Sequence, residues 1–433
     1  MRVALRCNKG GGRMSGESRR TLKRTLGIIL LFVLLYLIFR VYQVDQTLGI
    51  FLFVGIGLGF IESHSEVGIA SGYVDFFVTG SRTRFYGLLM LFGLGSVATI
   101  IIHSLSALNG AVPSFLATSF DTIIPGTTAV SPVNLGLVVG SFLFGVGLSL
   151  NKGCGLGTLR NIGLGQFRYV LTFLAILVGT IPGQWLKYQL DQSVLHQIEV
   201  QLYFPNAIGY LGTFVLGVIL FTILIFWALY IETVRKRQGY YKEIERKSVG
   251  LKNPLQKKHP VLFYLLEKKW ARIVSVILIT GLLVLALLGT GEHLAVTQSY
   301  VYPAVYILQL IGLSLNHPAF AEPISVIENG LLSNHIVVQN IGIVFGALLL
   351  SLLSITLTTS NKVNVKEFGW FTLSGLLMGI GAILAGGCIV GALYSGIVNF
   401  SLSGWVVFLF MSLGIWVTVR VMNGKISTIP EME

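Results

Sequence analysis

The chain has 433 residues, of which 54% are hydrophobic and only 11% charged. Soluble domains carry about 25% charged residues, so a soluble enzyme, a disulfide scaffold and a disordered chain are all excluded. The net charge of +13 does not mark a nucleic-acid binder, because the basic residues gather beside apolar runs and no recognition motif or interleaved aromatic patch accompanies them.

Residues 1–24 hold eight Lys and Arg against one acid, and the first apolar run follows at 21–44. No small-residue cleavage pattern closes it, since the chain continues Arg40-Val41-Tyr42-Gln43. An uncleaved membrane helix is therefore expected rather than a signal peptide. Further spans are predicted near 47–62, 84–107, 133–150, 168–187, 207–232, 272–289, 338–358, 368–385 and 403–421. Each approaches the ~20 residues that cross a hydrocarbon core. Val301–Leu315 reads equally as a short crossing, a re-entrant segment or an interfacial helix. The segment 234–272 carries twelve basic residues against three acids, together with Pro254 and Pro260, and reads as a cytoplasmic linker with one amphipathic helix.

Loop charge orients these spans. The connections 109–132, 190–205 and 290–335 lack Lys and Arg, whereas Arg82, Arg84, Arg160, Arg168, Lys362, Lys366 and Lys425 mark the opposite side. The positive-inside rule then predicts ten crossings of a bacterial plasma or inner membrane, with both termini in the cytoplasm.

Sliding the chain against itself by 234 residues exposes an internal repeat. Gly145, Gly147, Leu150, Gly153, Cys154, Gly157 and Leu159 fall on Gly379, Gly381, Leu384, Gly387, Cys388, Gly391 and Leu393. By the charge topology the span before Cys154 runs inward and the one before Cys388 runs outward, so the halves are expected to be inverted repeats. The predicted fold class is an all-α polytopic membrane protein of about ten transmembrane helices, with short re-entrant half-helices in two inverted repeats. The expected organisation is a basic cytoplasmic tail (1–20), an extra helix (21–44), the first repeat (45–190) and an outer loop with a second extra helix (191–233). The basic linker (234–271), the second repeat (272–422) and a short cytoplasmic tail (423–433) complete it.

Asn151-Lys152-Gly153-Cys154-Gly155 and Ala385-Gly386-Gly387-Cys388 interrupt apolar spans. A span broken by glycine and restarted as a half-helix frees backbone N–H groups at the new N-terminus, where they and the helix dipole favour an anion. Two such termini, each with a cysteine, suit an anion containing soft sulfur or selenium. The bland alternative is that the glycines are close helix contacts and the cysteines small buried hydrophobes. Their occurrence at equivalent repeat positions favours the functional reading.

At these residues the sequence resembles the YeeE/YedE family of bacterial thiosulfate transporters and their presumed selenium-related relatives. The matching stretches are Gly153-Cys154-Gly155-Leu156-Gly157-Thr158, Gly387-Cys388-Ile389-Val390-Gly391, and Tyr394-Ser395-Gly396-Ile397 through Ser401-Leu402-Ser403-Gly404-Trp405. Asn340-Ile341-Gly342-Ile343-Val344-Phe345-Gly346-Ala347 also matches. The resemblance implies a pseudo-two-fold body without ATP-binding domains, in which central cysteines pass thiosulfate along by S–H contacts. Cys154 and Cys388 match two of these cysteines. Gly68 stands where the third would be, on a short helix within 65–78, and is expected to leave room for the substrate. The substrate-binding residues expected are Cys154, Cys388, Gly153, Gly155, Gly387 and Gly68.

Glu62, His64, Glu66 and Asp75 cluster nearby, either in a proton-linked role or, more simply, at the cytoplasmic surface beside Arg82 and Arg84. Lys152 adjoins the first cysteine motif, where it attracts an anion or reaches the inner interface. His103, His293, His317 and His335 lie at span ends or in outer loops. Cys7 lies in the polar tail, and no zinc, haem or other cofactor motif occurs. Expected partners are a small inorganic sulfur anion, membrane lipid and a cytoplasmic sulfur-carrier protein, with no nucleic acid. A transporter of selenium or other sulfur species is one alternative. A membrane enzyme with a cysteine carrier is the other, and it would need an activating base beside its thiol. No His or carboxylate lies within ten residues of Cys154 or Cys388. The sequence favours transport.

Overall fold

Hydrocarbon offers no hydrogen bonds, so an apolar run that enters it must satisfy its own backbone, and a helix does so within one segment. A computed structural model describes residues 16–65, 67–193, 199–238, 266–313, 315–354 and 365–425. Cys7, Glu66, Lys362 and most of the basic linker lie outside the described residues.

The described chain is helical, with only isolated bridges such as Tyr203 with Ser401. The helices are α1 (Gly16–Val44), α2 (Gln46–His64), α3 (Ile69–Thr79), α4 (Arg82–Leu108), α5 (Leu135–Asn151), α6 (Gly155–Gly163), α7 (Phe167–Asp191) and α8 (Phe204–Arg237). They continue as α9 (Arg272–Thr290), α10 (Val301–Leu310), α11 (Ala321–Glu328), α12 (His335–Leu353) and α13 (Val365–Leu384). A wide turn, Ile389–Tyr394, leads into α14 (Ser395–Val398), and α15 (Leu402–Val421) closes the fold. Ten segments among the described residues are long and apolar enough to cross a membrane, with α5–α6 and α13–α14 each forming one broken segment. At ten residues, α10 spans about 15 Å, too short to cross. It packs against Ile181 and Tyr188 of α7 and Ile324 of α11.

Helix starts are legible in the side chains before them. Asp45 accepts from the Thr47 and Leu48 N–H groups at the start of α2, and Asn134 from Leu137 N–H at the start of α5. Asn334 does the same for Ile336 and Val337 of α12. Each satisfies donors that the first helical turn leaves free.

Glycines set the packing of the inner helices. Gly55 and Gly59 of α2 press on the backbone of Gln339 and Ile343 in α12, while Gly342 and Gly346 of α12 press back on α2. A side chain on Gly342 would begin 2.9 Å from the Leu52 carbonyl oxygen. The repeat helices interlock in the same way. Gly145 of α5 faces the backbone of Met411 in α15, and Gly379 of α13 faces that of Ile176 in α7. Gly140 and Gly381 bring α5 against α13. The pairing is therefore reciprocal: α5 lies on α15, α13 lies on α7, and α5 meets α13 between them. Close backbone approach through small residues replaces the hydrophobic drive that lipid removes. Only α1 and α8, the two helices read as extra to the repeats, bury as little as 11% of their apolar windows.

Gly346 and Gly281 test this account. Gly346→Val should cost about 1–3 kcal/mol by overpacking against the Ile56 backbone, lowering folded yield and melting temperature in detergent. Gly281 of α9 has no atom within 4 Å of its added carbon, so Gly281→Val should melt with the parent. Equal behaviour of the two variants would show that glycine packing does not hold α2 to α12.

Candidate functional site

Both cysteines sit where a helix stops and restarts. In the first half, α5 ends at Lys152, whose φ of 53° is left-handed, and Cys154 is extended before α6 begins. In the second, Gly386 and Gly387 take φ of 70° and 148°, and Cys388 is again extended before the wide turn. Gly387 needs to be glycine, because this backbone region disfavours any side chain and its added carbon would meet Ala392 N at 2.8 Å. The Cys154 carbonyl accepts Thr158 N–H at 2.8 Å, and the Cys388 carbonyl accepts Ala392 N–H at 2.8 Å. Each cysteine is thus the N-cap residue of a restarted helix, with its thiol turned inward: Cys154 is 1% exposed and Cys388 0%. The Leu156 and Gly157 N–H groups lie beside the Cys154 sulfur, and the two thiols are within electrostatic reach of each other and of the Tyr300 hydroxyl.

A third short helix meets them. Gly68 is the left-handed N-cap of α3, and its carbonyl accepts Gly72 N–H. Ile69 from the start of α3, Leu156 from α6, and Ile389 and Val390 from the wide turn all line one cavity of about 10 Å³. Leu58, Phe92 and Leu283 complete an apolar wall. A cavity of that size holds about one water. In this conformation the cavity is walled by the neighbours of Cys154 and Cys388 rather than by the thiols, and it is too small for a sulfur oxyanion. Gly68 immediately precedes Ile69 of that wall. Its φ of 55° disfavours a side chain, and the added carbon would crowd Ser71 Oγ.

The expected substrate glycines divide by what surrounds them. Gly153 lies 3.1 Å, by its added carbon, from the Tyr169 ring, and a side chain on Gly155 would strike Thr297. The Tyr300 hydroxyl donates to the Gly155 carbonyl at 3.1 Å. Gln298 donates to the Gly386 carbonyl, so residues two apart on the loop after α9 hold both broken helices. That loop is pinned in turn by α12: Gln339 donates to Ala295 O at 2.8 Å, and Asn340 donates to Val296 O at 2.9 Å.

Glu62 and Asp75 are buried, not on the surface. Glu62 Oε1 accepts Ile69 N–H at 3.2 Å, which anchors the start of α3, and lies 3.5 Å from Arg160 of α6. Asp75 of α3 pairs with Arg84 at 2.6 Å and Lys152 at 3.1 Å. Lys152 therefore reaches α3 rather than a thiol. Arg82 instead pairs with Glu232 of α8 at 3.3 Å. His64 sits edge-on to Trp270, and His103 lies between the Tyr203 hydroxyl at 2.8 Å and the Pro125 carbonyl at 2.9 Å. His293, in the loop after α9, meets Asn399 Oδ1 at 3.0 Å, and burial pushes its imidazole down to about 4. His317 caps the short turn before α11, and His335 pairs with Glu292 at 2.8 Å.

Sequence reasoning singled out Asn340 but passed over Thr297, Gln298, Tyr300 and Gln339. Their signal was faint: Thr297, Gln298 and Tyr300 fall in a stretch that charge topology assigns to an outer loop, and Gln339 sits at the edge of a predicted span.

Comparison with known proteins gives a family model, described as sulphur transport, that matches residues 64–417. The thiosulfate transporter TsuA of Escherichia coli K12 is 24% identical over 377 residues, covering 84% of this chain and 92% of that protein. The thiosulfate transporter TsuA of Spirochaeta thermophila is 24% identical over 301 residues, covering 66% of this chain and 77% of that protein.

Two expected outcomes follow from the geometry. Gly68→Cys should lower folded yield by about 1–2 kcal/mol of left-handed strain, measured as detergent melting temperature; an unchanged melt would show that α3 does not start as described. Folded His293 binds fewer protons than the unfolded chain between its unfolded value near 6.5 and its folded value of about 4. Stability should therefore fall as pH drops through that window and be flat above it on this account. His293→Gln, which keeps a donor for Asn399, should shallow the slope; an unaltered slope assigns the effect to another group.

Proposed function

Because the chain belongs to the sulphur transport family, we propose that this membrane transporter takes up thiosulfate through the junction of its three short helices. The observation that carries this reading is the meeting of the α3, α6 and Ile389–Tyr394 starts at one cavity, with Cys154 and Cys388 as two of the N-cap residues. Both relatives are thiosulfate transporters by name, which favours thiosulfate among sulfur and selenium anions.

Each element has a physical part. Free N–H groups in the first turn of α6 and of the Ile389–Tyr394 turn offer hydrogen bonds to anionic oxygens and add the favourable end of the helix dipole. The thiols add S–H donors and polarizable sulfur, suited to the soft terminal sulfur of thiosulfate. Gly153, Gly155 and Gly387 keep the backbone near the substrate, and Gly68 presents backbone where a thiol is missing. Passage requires the short helices to part, since the cavity now holds about one water. The motif shared at a 234-residue offset and the reciprocal pairing of α5 with α15 and α13 with α7 support two inverted repeats. The basic residues at one end of the spans support cytoplasmic termini and an inner-membrane location.

The test is uptake of doubly sulfur-labelled thiosulfate into proteoliposomes, with selenite, sulfide and sulfate as competitors. Cys154→Ala and Cys388→Ala should each insert and fold yet lose about tenfold or more in uptake, the equivalent of about 1.4 kcal/mol. Serine should restore little of it. Normal uptake by both alanine variants would make the cysteines packing residues, and label emerging with its S–S bond cleaved would replace transport by chemistry.

A further inference from the structure

A second site lies away from the cysteines, between α4 and α8. The two helices enclose an apolar groove of about 360 Å³, running from Tyr86 toward Phe400. It exists because both helices lack a side chain there. No atom lies within 4 Å of a carbon added to Gly93, and only Phe400 Cε1, at 3.9 Å, lies near one added to Gly217. Phe221 and Ile225 line its α8 wall. Both helices are membrane spans. A void of this kind forfeits dispersion contacts if empty, and its lining is apolar apart from hydroxyls such as those of Ser96 and Thr222. The stretch of α4 along it, from Tyr86 to Val97, is about 16 Å long at 1.5 Å per residue. The occupant must be apolar and elongated.

One end of the groove is strongly cationic. The Arg82 guanidinium lies over the Tyr86 ring at 5.4 Å, which joins the groove to the charged rim. Glu232 holds Arg82 at 3.3 Å and Lys236 at 2.6 Å, and the Arg82 and Lys236 side chains stay 38% and 51% exposed. Arg237 beside them is exposed, while Arg235 turns inward to the Phe77 and Val78 carbonyls. Three exposed or half-exposed cations, Arg82, Lys236 and Arg237, thus stand with the single carboxylate of Glu232 at this end of α8, a charge pattern that attracts anionic lipid.

We propose that the α4–α8 groove is a binding site for an anionic phospholipid, with one acyl chain between Gly93 and Gly217 and its phosphate on Arg82, Lys236 and Arg237. The site is separate from the cysteine region. It gives α8, which has little protein around it, a lipid that seals it to α4.

Native mass spectrometry of the full chain with phosphatidylglycerol or phosphatidylcholine tests this. The parent should retain phosphatidylglycerol in preference to phosphatidylcholine. Gly93→Phe, which fills open space, should fold and lose about fivefold or more in phosphatidylglycerol affinity, near 1 kcal/mol. Gly217→Leu serves the same purpose should the bulkier variant misfold. Arg82→Gln with Lys236→Gln should keep lipid but lose the preference. Equal retention of both lipids by the parent, or undiminished phosphatidylglycerol on the groove-filling variants, would overturn the site. So would recovery of the parent as a dimer that the groove-filling variants convert to monomer, since a second copy would then be the occupant.

Discussion

Everything around the two cysteines depends on one constraint: a helix broken at membrane depth exposes backbone groups that lipid cannot satisfy. The breaks at Lys152–Cys154 and Gly386–Cys388 survive because protein supplies the missing partners. Tyr300 and Gln298 cover the carbonyls of Gly155 and Gly386. Gln339 and Asn340 fix the loop that carries them. Breaking a span costs hydrogen bonds in proportion to the groups freed, so a loop, two turns and a facing helix must be in register before either cysteine is held.

The glycines of the repeated motif serve two purposes that identical letters conceal. Gly145 and Gly379 are contact surfaces, each against the backbone of a helix from the other half. Gly386 and Gly387 are conformational, since their φ values exclude ordinary side chains at low cost. Gly153 and Gly155 let the first restart lie against Tyr169 and Thr297. Packing and backbone conformation are thus divided among glycines of the same stretches.

What the sequence made legible was whatever depends on neighbours in the chain. Apolar length gave the spans, and the Gly-Cys pairs marked the breaks. The short helix α3 was anticipated from a resemblance and begins at Gly68. What stayed hidden depends on distant residues. Lys152 is 77 positions from Asp75, and Arg160 is 98 from Glu62; periodicity and local charge carry no information at that range. Glu62 and Asp75 read as surface acids because their cationic partners could not be assigned. The left-handed backbone at Gly68 was hidden for another reason: a glycine announces tolerance for that conformation without announcing its use.

These ion pairs also explain how the centre stays free of fixed charge. Glu62 joins α2, the start of α3 and Arg160 of α6, while Asp75 joins α3 to Arg84 and to Lys152 at the end of α5. None of these charged residues lines the small cavity, whose wall is Leu58, Ile69, Leu156, Leu283, Ile389 and their neighbours. A fixed cation in that wall would bind an anion tightly and release it slowly, whereas conduction needs binding weak enough to leave. A helix N-terminus supplies a smaller, directional attraction. The same pairs tie α3 and α6 to α2, α4 and α5.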